Sequence, residues 1–175
     1  MKKFYILIFV FCFFSKLFAL EMYGNFDQGN LIRGKASINS KIFIDDKKIK
    51  VSPEGYFAFG ISKDRKNDIS IKVVKDGVTK KIIKKVYKKK YKIQRIDGLP
   101  KKQVTPPKEV YERIKADNRI ISKARMVDTN LIFFNEDFIF PLNNSIITGV
   151  YGSQRILNGI PKSPHYGLDF AAKEG

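Results

Sequence analysis

The chain has almost no cysteine, one histidine and no tryptophan in 175 residues, and half as many acidic as basic side chains. Its only cysteine, Cys12, lies in an apolar stretch near the start. No small residues of a lipidation signal precede it, so it is not read as a lipid attachment site. Loss of that stretch would leave no thiol at all, which rules out disulfides and thiolate metal cages. Any bound metal would be held by nitrogen and oxygen. No apolar run reaches the roughly 20 residues of a spanning helix. Nor does the sequence show a nucleic-acid-binding module, despite 34 Lys plus Arg against 17 Asp plus Glu.

The beginning has an export layout. Lys2 and Lys3 precede an apolar run from Phe4 to Phe14, followed by Ser15, Lys16 and a cleavage position after Ala19. Residues 1–19 are therefore expected to be a signal peptide, placing the protein in the periplasm or cell envelope. Leu17 is larger than the usual residue three before a cut, so retention of the run as an anchor stays open. After cleavage no stable membrane span is expected, and 31 basic residues still face 17 acidic ones.

A charge of +17 invites an anionic partner: a wall polymer, a membrane surface or nucleic acid. The competing explanation is compositional, because Lys, Ile, Asn and Phe are abundant throughout. The densest stretch, Lys80 to Lys92, holds eight lysines and no acid. It reads either as a basic ridge for an anionic envelope surface or as a strand whose lysine edge discourages pairing with other chains.

Alternation organises residues 20–96. Ile42-Phe43-Ile44 and Ile49-Lys50-Val51 flank a turn over 45–48. Phe57, Phe59 and Ile61 alternate with small residues, as do Ile69, Ile71 and Val73 with Ser70 and Lys72, and Asp76-Gly77 marks a further turn. Strands at this spacing predict a small antiparallel β-sandwich. Residues 97–127 read as a linker with a helix from about Pro106 to Met126. Thr105 would be its cap and Pro106 its first residue, and Val110, Ile114, Ile121 and Ala124 would form a face packed on one of the domains. The fold class is thus mainly β with one connecting helix.

The chemistry is concentrated near the end, in Pro164-His165-Tyr166-Gly167-Leu168-Asp169. The sole histidine stands four residues before a carboxylate. Pro164 and Gly167 disfavour a helix, so this is not the helical pairing of H-E-x-x-H. A turn running into a strand can aim both groups at one point, because glycine adopts angles other residues avoid. Alone, the spacing is more often that of a surface pair or a hydrogen-bonded turn residue than of a metal site.

The flanks add weight. Phe138-Ile139-Phe140-Pro141-Leu142, then Thr148-Gly149-Val150-Tyr151-Gly152-Ser153-Gln154-Arg155, then H-x-G-x-D from His165 to Asp169 closely resemble the lysostaphin-type zinc metalloendopeptidases, which cut peptide cross-links in peptidoglycan. The resemblance runs from Phe138 to Gly175. It implies that residues 128–175 are the first strands of an incomplete peptidase sheet, with an aromatic-x-Pro strand at its start. His165 and Asp169 would be the first two Zn2+ ligands, while Tyr151, Gly152 and Arg155 would shape the substrate groove. Arg155 would meet a carboxylate of the stem peptide or serve a structural hydrogen-bonding role. The family's third ligand comes from a later H-x-H motif, and this sequence has no second histidine. The expectation is a fragment of an exported peptidase, inactive alone and binding zinc at micromolar affinity or weaker. The alternative is a non-catalytic envelope protein that binds peptidoglycan or activates a partner amidase.

Overall fold

Hydrophobic alternation in the first half of the chain becomes two facing sheets in a computed structural model, which describes residues 19–173. The signal-like run and Cys12 lie outside the described residues. Within them the chain is mainly β, and its contacts divide into two units: 19–89 together with 132–138, and 90–131 together with 139–173.

The first unit is an antiparallel sandwich. One sheet has the order β1 (Leu20–Tyr23), β2 (Leu31–Ala36), β5 (Tyr56–Gly60). The other runs β4 (Lys47–Lys48), β3 (Lys41–Ile44), β6 (Ile69–Lys75), β7 (Val78–Lys84). Ile32, Ala36 and Phe57 from the first sheet meet Ile42, Ile69, Ile71 and Val73 from the second in one buried cluster with Ile61. Burying each large side chain contributes about 1.5–3 kcal/mol. Gly34 sits opposite Phe57, and a Cβ there would stand 2.3 Å from the ring, so glycine lets the phenylalanine lie across the strand.

The hairpin after β3 is tighter than the sequence suggests. Asp45 and Asp46 both take positive φ, 49° and 66°, and form the whole two-residue turn. Lys47 and Lys48 are already strand, paired with Ile44 and Phe43. Two positive φ values give the twist that antiparallel neighbours need, and Asp tolerates them better than most residues. Asp76-Gly77 repeats the device between β6 and β7, at 48° and 77°. β7 is the outer strand of its sheet, and Lys80 and Lys81 on it are exposed. Of the stretch from Lys80 to Lys92, only the part up to Lys84 is strand. Residues 132–138 belong to the same unit: Arg33 donates to the carbonyls of Phe134 at 3.1 Å and Glu136 at 2.7 Å.

The second unit departs from expectation in three places. Ile93–Ile96 (β8) does not close the sandwich. It pairs in parallel with β10 (Gln154–Leu157), which also pairs antiparallel with β11 (Ile160–Pro161). The division therefore falls between Lys89 and Lys90 and not at Ile96. Parallel pairing needs a long crossover, so no local pattern announces it. The helix is also split. A short α1 (Lys101–Val104) ends at Thr105, which is extended at φ −129° and ψ 110° because Pro106 follows it. A single 3₁₀ turn, Lys108–Val110, then leads into α2 (Tyr111–Arg125). No residue of α2 is buried, and Ile114 and Ile121 of the expected packing face are exposed. Finally, residues 138–142 form no strand, and Ile139 is 90% exposed.

β12 (Asp169–Ala171) pairs antiparallel with β9 (Ile146–Gly149) and completes the second unit. Phe140 meets Phe170 edge-on, with centroids 5.9 Å apart. Among the described residues Val104 is the only buried hydrophobic side chain of this unit.

Candidate metal centre

Three short strands and one turn assemble the site. Tyr151-Gly152 forms the turn between β9 and β10. Gly152 has φ 86°, and the Tyr91 ring lies so close that a Cβ would stand 2.1 Å from it. Glycine is required there on both counts. The turn grips the histidine by its main chain: Gly152 N–H donates to the His165 carbonyl at 2.7 Å, and His165 N–H donates to the Ser153 carbonyl at 2.8 Å. With both backbone groups fixed, only side-chain torsions remain to aim the imidazole.

Asp169 is aimed by an irregularity in its sheet. It pairs with Gly149, but its neighbour Phe170 pairs with Ile147, so Thr148 is an extra residue in β9. Such bulges bend a strand and redirect a side chain. Here the carboxylate arrives at the imidazole, with His165 Nε2 3.2 Å from Asp169 Oδ1. Gly149 leaves the space they occupy. A Cβ at that position would stand 2.5 Å from Asp169 Oδ2 and 3.2 Å from His165 Nε2.

The contact has ion-pair distance but not hydrogen-bond geometry. His165 Nε2 is buried and has no hydrogen-bond partner, although the His165 side chain as a whole is 21% exposed. A buried polar atom without a partner is costly in an ordinary protein interior. A shared cation removes that cost. Two donors on a tetrahedral zinc, at bond lengths of about 2.0–2.1 Å, stand roughly 3.3 Å apart, which is the separation seen here. A nitrogen and an oxygen donor also suit zinc. The residues present therefore fit half of a zinc set. Among the described residues no third His, Cys, Asp or Glu joins them.

Arg155 stands beside the pair. Its Nη2 stands 3.5 Å from Asp169 Oδ2, the oxygen remote from the imidazole, and its Nε donates to Gln94 Oε1 at 3.3 Å. Tyr151 lies beside the site in an edge-to-face contact with Tyr166, with ring centroids 6.2 Å apart. Tyr166 is 67% exposed, so the pair presents an aromatic surface to solvent.

The structure thus brings together His165, Asp169 and Arg155, with Tyr151 adjoining them through Tyr166. Sequence reasoning missed Gly149, Gln94, Tyr91 and the aromatic role of Tyr166. Tyr166, next to the histidine, carried a legible signal. Gln94 carried none, because its link to Arg155 depends on the parallel pairing of β8 with β10. No protein-family model matches the chain, and no characterised protein shows significant similarity to it.

Proposed function

We propose that the protein is an exported zinc metalloendopeptidase of the cell envelope that hydrolyses peptide cross-links of peptidoglycan, with this chain carrying the first two metal donors. The observation that carries the reading is the buried, unpartnered Nε2 of His165 facing Asp169 Oδ1 at 3.2 Å over the clearance left by Gly149. The resemblance of residues 138–175 to lysostaphin-type enzymes supports it. So does the export layout of residues 1–19, which suits a protein that meets its substrate in the periplasm or envelope.

A zinc ion bound by such a site supplies Lewis acidity and brings the pKa of a bound water to near 7. His165 and Asp169 would hold that ion, and the remaining donor must come from outside the described residues. Tyr151 and Tyr166 offer an apolar wall beside the pair, suited to the backbone or sugar face of a wall peptide. The lysine edge of β7 suits the anionic envelope surface that carries the substrate, an attraction that salt weakens.

Titration of Zn2+ into the chain, followed through the ring protons of its single histidine, tests the metal reading. Micromolar or weaker binding that Asp169→Asn abolishes is expected. Unchanged ring signals at millimolar zinc would overturn it. Purified peptidoglycan should not be cleaved by this chain alone, and an in-frame H-x-H motif downstream of Gly175 would identify the third donor. The second reading is a non-catalytic peptidase-like envelope protein that binds peptidoglycan or activates an amidase. Zinc-independent binding to peptidoglycan by the Asp169→Asn variant would support it.

A further inference from the structure

We infer that Arg155, braced by Gln94, is a positioning residue that commits Asp169 to binding its metal through one oxygen; the inference rests on the zinc reading above. A carboxylate can offer a cation one oxygen or both, and an aspartate that is 45% exposed can also turn toward water. Here the two oxygens have different neighbours. Oδ1 faces His165 Nε2, while Oδ2 faces Arg155 Nη2 at 3.5 Å. Among the described residues Arg155 is the only Lys or Arg within ion-pair reach of this carboxylate.

The guanidinium is itself held. Arg155 and Gln94 are register partners across the parallel β8–β10 pair, and Nε donates to Gln94 Oε1. The relay Gln94, Arg155, Asp169 therefore runs across β8, β10 and β12. It fixes the torsion of the carboxylate and offsets the charge on the oxygen that does not meet the metal. Groups that orient metal ligands in this way typically change metal affinity by about 10–100-fold when removed. Arg155 is 42% exposed and its contacts are long, which places the effect toward the lower end of that range. A substrate anchor would behave differently, since its loss weakens peptide binding and leaves metal affinity alone.

The test is a Zn2+ titration of the full chain and its variants through the His165 ring signals, paired with binding of a short peptide bearing a free carboxylate. Arg155→Ala should weaken zinc binding about tenfold. Arg155→Lys should restore part of the loss, and Gln94→Ala should cost severalfold. Amide spectra of the sandwich should be unchanged in all three, which separates positioning from misfolding. Wild-type zinc affinity in Arg155→Ala, with or without a loss of peptide binding, would overturn the inference while leaving the metal centre standing. Failure of the unaltered chain to bind zinc would overturn both.

Discussion

At the scale of single residues, the meeting of His165 and Asp169 depends on a methyl group that is not there. Gly149 has no left-handed backbone to preserve, so alanine keeps the strand and adds only bulk against Asp169 Oδ2. Gly149→Ala is expected to displace the carboxylate and lower zinc affinity at least about tenfold, the scale on which disturbed ligand orientation acts. The same histidine titration measures it, with sandwich stability unchanged as the control. A second residue-scale prediction concerns Asp45. The Arg65 hydrogen bond, aided by the Ser70 N–H, holds its carboxyl below the ordinary value. A group with a lowered folded pKa contributes stability above the unfolded pKa of about 3.9 and loses it as pH falls through the folded value. Asparagine tolerates the same turn angles. The gap in urea midpoint between the wild type and Asp45→Asn should therefore be small but present at neutral pH. It should close as pH falls through the lowered folded value. Exposure of the pair keeps it small.

Strands and helices obey local and distant rules unequally. β6 was legible because Ile69, Ile71 and Val73 bury one face while Ser70 and Lys72 stay outside, a period that water alone imposes. Ile71→Ala should accordingly cost about 2–5 kcal/mol of unfolding free energy. Ile83→Ser, on the outward face of β7 and 58% exposed, should change it by less than about 0.5 kcal/mol. Chemical denaturation of the full chain checks both, and equal losses would contradict the sandwich register. The helix was legible in existence but not at its start. Thr105-Pro106 suggests a helix start, whereas Pro106 holds Thr105 extended, Pro107 is itself extended at ψ 156°, and α2 begins only at Tyr111. The aromatic run Phe138–Leu142 suggests a strand that does not form. Hydrophobic composition suggests burial, but a strand needs a hydrogen-bonding neighbour, and the described residues provide none there.

For the molecule as a whole, the two units differ in what holds them together. The first has a shared core drawn from both sheets, while the second has one buried hydrophobic side chain among its described residues. Local opening free energy follows buried apolar contact. Amide hydrogen exchange should therefore be slowest in β2, β3, β5 and β6, and much faster in β8 to β12 and in α2. Protection of β10 or β12 equal to that of β6 would contradict this division. The mainly β class and the sandwich strands are legible along the chain, because alternation and turn chemistry are local properties. Tertiary contacts alone bring β8 beside β10, leave room for the pair at Gly149 and set Arg155 next to Asp169. Those contacts join residues 14 to 61 positions apart, and no pattern read along the chain encodes which distant strands become neighbours.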